Sequence, residues 1–223
     1  MRNNKEYYND LVNSRQQYDC WDLSKAVPKE DIDYILEQFH RRAAVKQNRI
    51  KYKINVLDWS DPELRNDIFN FTMCEEDGLN PDGTCYKSPN AQTLAHWILV
   101  FDVDGNSLTK ITNDELYEDA LVEVGIAADF ISHSAASIGL QTGFCRCLSK
   151  DQWKSINSIN EKLDISNPSD KIALILGIGH GLEQKSMINP YTGESVRTWS
   201  RVLPERRKLP MEKYVTYHCN DEY

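Results

Sequence analysis

The sequence lacks any apolar run that approaches the length of a membrane span. Its first 15 residues, MRNNKEYYNDLVNSR, are polar and contain no apolar core of the kind that a secretory signal peptide carries. These two absences argue against a membrane protein and against a secreted one. We therefore expect a cytoplasmic protein.

The sequence also lacks an excess of positive charge. It has 26 lysine and arginine residues against 34 aspartate and glutamate residues, a net charge of −8 and a pI near 5.2. Proteins that bind nucleic acid or acidic lipid surfaces neutralise phosphates with clustered cations. We therefore expect neither a nucleic acid nor a membrane as the main partner.

Metal-binding patterns are missing as well. The six cysteines form no CxxC pair, and no cysteine–histidine group has the spacing of a zinc site. The segment from Asp102 to Asn106 begins like a calcium loop, but the later ligands and the closing glutamate are absent. In a cytoplasmic chain the cysteines are expected to be reduced thiols. The sequence predicts no metal site and no disulfide.

The most informative stretch runs from Asp119 to Cys147. Its apolar residues recur every three or four positions, which predicts a long helix, and a second set makes the opposite face apolar too. The first set is Leu121, Val124, Ala128, Ile131, Ala135 and Ile138, and the second is Val122, Ile126 and Phe130. Such a helix is buried either inside the domain or partly in a subunit interface. Gly139 should end it in the left-handed conformation, and a turn and short strand should follow over 141–147.

The remaining pattern predicts one α+β domain over residues 1–223. No repeat, low-complexity region or linker interrupts it, although turn signals predict a surface excursion near 74–89. Helices are predicted over Lys5–Asn13, from Pro28, from Asp61-Pro62 and over Lys150–Leu163, and residues 182–201 should form a loop. Strands are predicted over Lys51–Trp59, Leu94–Val103, Lys171–Gly181 and Lys213–Cys219.

The second buried strand contains three alternating glycines, Gly177-x-Gly179-x-Gly181. A dinucleotide-binding turn requires the spacing GxGxxG followed by an apolar helix, and neither feature is present. A nucleotide-binding fold of that type is therefore rejected.

Several motifs, taken in order along nearly the whole chain, resemble the FMN-dependent nitroreductase family. The family's S-R-R-S opening, its V-P-x-E-x-I-x-x-I-L helix start and its A-P-S-x-x-N-x-Q-P-W segment correspond to Asn13–Gln17, Val27–Leu36 and Ala43–Tyr52. Its helix block ending in G-L-x-T is similar to the stretch around Gly139. A late strand at Ile172–Gly179 and the basic run Arg206–Pro210 resemble the closing parts of that fold.

The resemblance implies a mixed, largely antiparallel sheet flanked by helices and assembled as an intertwined homodimer, with a C-terminal arm near 206–223. It implies two FMN sites at the dimer interface. It also implies that NAD(P)H gives a hydride to the flavin, which then reduces a nitroaromatic, a quinone or a similar acceptor. Because the flavin carries this chemistry, no catalytic protein residue is expected.

The flavin-binding residues that the resemblance suggests fall into two groups. Cations for the phosphate are Arg15, Arg207 and Lys208, because arginine can bind a phosphate in a bidentate manner. Polar groups suggested near the phosphate or the ring are those of Gln16, Gln17, Asn48 and Asn90. Gln92 is an alternative to Asn90. The backbone of the turn Gly143–Arg146, in particular at Cys145 and Arg146, is expected near flavin N5.

Departures from the family pattern leave two alternatives open. Val45 stands where the family has serine, Gln17 replaces a hydroxyl residue, and Ile50-Lys51 replaces Gln-Pro. One alternative is a flavin enzyme of the same fold that does not use NAD(P)H directly. The other is a flavin-free dimeric binding protein that retains the scaffold.

Overall fold

A computed structural model of the 223-residue chain describes residues 4–14, 17–42, 50, 52–71, 90–103, 114–146, 161–163, 165, 172–183, 186–190, 193 and 195–197. Its helices are α1 (Asn4–Ser14), α2 (Lys29–Arg42), α3 (Pro62–Phe71) and α4 (Asp114–Ser137), with a short 3-10 helix at Ala91–Leu94. Its strands are β1 (Lys53–Leu57), β2 (Trp97–Asp102), β3 (Gln141–Cys145), β4 (Ile172–Gly179), β5 (Ser186–Ile188) and β6 (Ser195–Arg197).

Four of these strands form one antiparallel sheet in the order β1-β2-β4-β3. An isolated parallel bridge, between Gln17 and Thr142, adds segment 17–22 beside β3. The sheet is therefore mixed but largely antiparallel, with helices against it. The predicted α+β class is confirmed.

The two faces of the sheet are covered by different layers. Strand side chains alternate between faces, so that Ile98 and Val100 of β2 pack towards α3, the 3-10 helix and Trp21. The intervening Leu99 and Phe101 pack towards α2 and α4. β2 and β4 lie at the centre of this core, which explains why their sequences are almost continuously apolar.

α4 agrees with its predicted pattern and adds one feature. Its stripe that includes Val124, Ala128 and Ile131 is buried, and Gly139 follows the helix with a φ of 84°. On the other face, Val122 is 64% exposed and Ile126 is 48% exposed. The described chain thus leaves part of an apolar helix uncovered.

Two sequence-based predictions are wrong. Residues 182–201 are not simply a loop, because β5 and β6 pair there as an antiparallel two-stranded sheet. The strand predicted within 141–147 is confirmed as β3, but the turn assigned to Gly143–Arg146 is wrong, since Gly143, Phe144 and Cys145 pair with Gly177, Leu176 and Ile175 of β4. The polar character of 182–201 and the glycine at 143 suggested turns, but pairing with a neighbouring strand overrides such local signals. The predicted C-terminal strand Lys213–Cys219 lies outside the described residues.

The alternating glycines of β4 have a packing role. A methyl group on Gly177 would lie 2.8 Å from the Gln92 carbonyl oxygen, and one on Gly179 would lie 2.5 Å from His96 Nδ1. At Gly181 the same methyl would lie 2.2 Å from the Tyr18 ring. The glycines let these groups pack directly against the backbone, which explains the pattern without a bound nucleotide.

A buried arginine supports the layer that carries the 3-10 helix. Arg65 of α3 is fully buried, and its Nη2 donates to the carbonyl oxygens of Thr93 at 2.9 Å and Ala95 at 2.5 Å. Its Nη1 lies 3.3 Å from the Leu57 carbonyl oxygen, and its guanidinium carbon lies 4.3 Å from the centroid of the Trp59 ring. Arg65 therefore holds the end of the 3-10 helix to the β1–α3 connection.

Candidate functional site

The N-terminal segment 17–22 runs along the edge of the sheet and places Gln17 beside β3. The Tyr18 backbone N–H donates to the Thr142 carbonyl oxygen at 3.1 Å, and Gln17 Nε2 donates to the Phe144 carbonyl oxygen at 3.2 Å. Further along, Trp21 Nε1 donates to the Ala91 carbonyl oxygen at 2.9 Å. The segment therefore connects β3 with the start of the 3-10 helix.

Asn90 begins the 3-10 helix and is almost fully buried. Its Oδ1 accepts from the Gln92 backbone N–H at 3.2 Å, and its carbonyl oxygen accepts from the Thr93 backbone N–H and hydroxyl. An asparagine in this position caps exposed backbone donors, as at helix N-termini generally. Because Oδ1 is used in this way, the side chain is left with its Nδ2 donor, and that buried atom has no hydrogen-bond partner among the described residues.

Gln92 is the second polar side chain of this turn, and it is also buried. Its Nε2 donates to Oδ1 of Asp19 at 2.8 Å, whereas its Oε1 is buried without a partner in the described part of the chain. A methyl group on Gly143 would lie 2.3 Å from that Oε1 atom. The side-chain carbonyl group of Gln92 therefore faces β3. We call Asn90 and Gln92 together the polar turn.

The remaining sequence-predicted residues are placed as follows. Cys145, which is half buried and in no disulfide, ends β3, and Arg146 follows it with an exposed side chain. The structure thus brings Gln17, Gln92, Asn90 and the β3 residues into one region, since segment 17–22 contacts both β3 and the polar turn. Arg15, Gln16, Asn48, Arg207 and Lys208 lie outside the described residues.

Sequence reasoning missed Asp19. Its side chain is 8% exposed and is hydrogen-bonded to Gln92. The available signal is its position in an otherwise apolar run, Tyr18-Asp19-Cys20-Trp21, because a buried carboxylate must have hydrogen-bonding partners. The run alone does not show which partner that is.

A separate cleft of about 380 Å³ lies at the other end of the 3-10 helix. It is lined by Ala26, Val27, Asp58, Trp59, Ser60, His96 and Trp97. Hydrogen bonds from Ser60 lower the pKa of Asp58, so this carboxylate is charged at neutral pH. Of the suggested flavin-binding residues that the structure describes, Gln17, Asn90, Cys145 and Arg146 do not line this cleft.

His96 of this cleft gives a prediction about acid stability. Burial, followed by the nearby His180, lowers the pKa of His96 below 6.5, while the Lys25 backbone and Asp22 oppose part of that effect and Arg65 adds to it. The unfolded chain therefore binds the proton more readily, and the stability that neutral His96 provides is present above pH 6.5 and falls as the pH drops.

We expect His96→Gln to flatten the loss of stability just below pH 6.5, where one such group contributes up to about 1.4 kcal/mol per pH unit. Urea denaturation between pH 7.5 and 5 measures the slope. His40→Gln, at an exposed position of α2, is the control. A variant with the same slope as the parent would contradict the assignment to His96.

Comparison with known proteins adds to this geometry. No protein-family model and no curated protein sequence matches the chain. Solved structures do match. Nitroreductase A from Vibrio parahaemolyticus is 18% identical with a TM-score of 0.62, over 96% of this chain and 78% of that one. A nitroreductase family protein from Clostridium difficile is 15% identical with a TM-score of 0.59, over 95% of this chain and 98% of that one.

The chain has the nitroreductase fold. A third structure of this kind, a protein from Desulfovibrio desulfuricans assigned as a nitroreductase, was solved in complex with FMN. It is 14% identical, with a TM-score of 0.56 over 81% of this chain and 88% of that one. The expected fold is thus confirmed at the level of the backbone.

Within this nitroreductase fold, two further observations concern other kinds of site. Across the described residues, no three His, Cys, Asp or Glu side chains lie close enough together to hold a metal ion. None of the helices in the described part of the chain combines the length and the apolar character that a membrane span requires.

Proposed function

We propose that this protein is an FMN-dependent oxidoreductase that passes hydride from NAD(P)H to a nitroaromatic, a quinone or a similar small acceptor. The observation that carries the proposal is the polar turn. It contains one buried donor, Asn90 Nδ2, and one buried acceptor, Gln92 Oε1, neither of which has a hydrogen-bond partner among the described residues. The fold is that of proteins described as nitroreductases and as NAD(P)H:FMN oxidoreductases.

A bound flavin would explain why these atoms are tolerated. A buried polar atom without a hydrogen bond costs about 1–3 kcal/mol, so such atoms usually have a partner that binds there. The pyrimidine edge of an isoalloxazine ring offers an N–H donor between two carbonyl acceptors, which suits one amide acceptor and one amide donor. The residues present therefore fit the ring edge, and bound FMN would supply the hydride chemistry.

The other proposed flavin contacts are made by cationic side chains and by uncharged polar groups. Arg15, Arg207 and Lys208 would bind the phosphate, while Gln16, Gln17 and Asn48 would lie beside the phosphate or the ring. The β3–β4 pairing ends at Cys145, so the backbone N–H of Arg146 lies beyond the paired register. That N–H and the backbone at Cys145 are our candidates for hydrogen bonds to flavin N5.

The absorbance spectrum of the purified protein tests the proposal. We expect a yellow protein with bound FMN, and we expect NADH or NADPH to bleach it in the absence of air. Binding without bleaching would favour a same-fold enzyme fed by another reductant. A protein that remains colourless after incubation with excess FMN would be a flavin-free binding protein, and the proposal would be wrong.

Arg207 allows a test of the phosphate site. Loss of one charge-assisted contact costs about 1.5–3 kcal/mol, so Arg207→Ala should lower FMN affinity roughly ten- to a hundredfold. Binding of riboflavin, which has no phosphate, should change less. Arg197→Ala, in β6, is the control. Equal FMN affinity in the Arg207 variant and the parent would move the phosphate site elsewhere, with Arg201 and Arg206 the next candidates.

We also propose that the protein is a homodimer in which the apolar face of α4 is covered. Val122 and Ile126 are four positions apart, so they form one exposed stripe of the helix. The double variant Val122→Asp/Ile126→Asp should shift a micromolar sample from dimer to monomer in sedimentation velocity. Tyr34→Asp, on an exposed part of α2, is the control. A parent protein that sediments as a stable monomer would refute the dimer.

A further inference from the structure

The amide of Gln92 can in principle take two orientations. A glutamine side chain carries a donor nitrogen and an acceptor oxygen of similar size, and exchanging them reverses the polarity of the group. In the polar turn this choice matters, because the second amide atom lies buried against β3. Hydrogen bonds from neighbouring residues therefore determine whether the nitrogen or the oxygen occupies that position.

Asp19 determines which atom of the Gln92 amide faces β3. Its Oδ1 lies 2.8 Å from Gln92 Nε2, and both side chains are buried, with exposures of 8% and 2%. The Gln92 nitrogen donates to this carboxylate oxygen, so the nitrogen of the amide faces Asp19. The oxygen is then directed to Gly143, where a methyl group would lie 2.3 Å away.

The orientation of Asn90 is fixed independently. Its Oδ1 accepts from the Gln92 backbone N–H, which leaves Nδ2 as the atom without a partner among the described residues. The turn therefore offers one acceptor and one donor, each set by a hydrogen bond inside the protein. Reversing Gln92 would replace this pair with two donors.

We propose that Asp19 is a positioning residue that fixes the polarity of Gln92, so that the polar turn recognises a ligand edge carrying an N–H group beside a carbonyl group. This inference rests on the proposed function, in which that edge is the N3–H and the adjacent carbonyl of the flavin ring. Asp19 does not contact the ligand. It acts by holding the Gln92 oxygen in the accepting position.

A flavin that lacks the N–H group tests this role. The parent protein should bind FMN about tenfold more tightly than 3-methyl-FMN, because the methyl group removes the donor that Gln92 accepts. In Asp19→Asn the new amide can donate to Gln92 Oε1, so the Gln92 amide can reverse. The preference for FMN should then fall below about threefold, since a donor gains nothing from the N3–H group. Fluorescence titration gives both dissociation constants without measuring turnover.

Three further variants complete the experiment. Asp33→Asn, at an exposed position paired with Lys29, should keep the preference of the parent. Asp19→Ser is a second substitution that replaces the carboxylate with an uncharged side chain. Circular dichroism verifies that each variant is folded. Gln92→Met has a similar shape but no amide, so it must lose the preference even if neither Asp19 variant folds.

The outcomes separate this inference from the proposed function. A folded Asp19→Asn variant that keeps the tenfold preference would overturn the role of Asp19, and so would a Gln92→Met variant that keeps it. A parent that binds FMN and 3-methyl-FMN equally would refute the inference and leave the flavin function standing. If the parent binds neither flavin, the proposed function is wrong and the inference falls with it.

Discussion

Gly143→Ala should destabilise the protein by about 3 kcal/mol or more, at the upper end of what overpacking costs. The added methyl group would lie 2.1 Å from the Tyr18 carbonyl oxygen and 2.3 Å from Gln92 Oε1. The first of these atoms belongs to the backbone of a segment that is hydrogen-bonded to β3, so it cannot move without breaking that pairing. Relief therefore requires separation of segment 17–22 from the sheet.

Urea denaturation of the apoprotein measures this effect. The matched control is Gly125→Ala in α4, where no atom lies within 4 Å of the added methyl group. That substitution should raise stability by about 0.5–1 kcal/mol, because alanine is the better helix former. If Gly143→Ala were as stable as the parent, the close approach of Tyr18 and Gln92 to β3 would be wrong.

Arg65→Met should have a comparable effect for a different reason. The guanidinium donates to the carbonyl oxygens of Thr93 and Ala95, which lie in the interior beside the 3-10 helix. Each carbonyl left without a donor costs about 1–3 kcal/mol, so the total loss should be about 2–6 kcal/mol. Arg65→Lys should lose roughly half of that, because one ammonium cannot reproduce the planar fork of arginine.

Arg41→Met provides the comparison for this series. Arg41 is 62% exposed and pairs with Glu37 on the surface of α2, so its removal should cost less than about 1 kcal/mol. Thermal or urea unfolding of the three variants gives the ranking directly. An Arg65→Met protein as stable as Arg41→Met would show that the buried hydrogen bonds contribute little.

The fold was predictable to the extent that it depends on local patterns. The apolar period of α4 and the glycine at 139 predicted that helix and its end, and continuous apolar runs predicted β2 and β4. The pairing of β5 with β6 was not predictable, because each strand has only three residues, too few to show an alternating pattern. Likewise, a short strand was predicted over 141–147, but the position of Gly143 within it, rather than in a turn, is set by its pairing with β4.

The candidate site was predictable only in part. Asn90 and Gln92 could be suggested because they precede an apolar strand and can both donate and accept hydrogen bonds. Asp19 could not, because its role depends on a contact with Gln92 across 73 positions of sequence. The spacing of Gly177, Gly179 and Gly181 was enough to distinguish them from a nucleotide-binding motif. Their packing role could be recognised only from the groups that lie against them in the structure.

The bridge between Trp21 and Gly181 also bears on how the chain acquires its fold during synthesis. These residues are about 160 positions apart, and the segment around Trp21 has its partners in β3, the 3-10 helix and the region after β4. At a translation rate of about 5–20 residues per second, roughly 10–30 s separate the synthesis of the two bridge residues. During that interval the segment Tyr18–Trp21 cannot complete its native contacts. Binding of this nascent segment by a chaperone would therefore compete with misfolding most effectively before residue 181 leaves the ribosome.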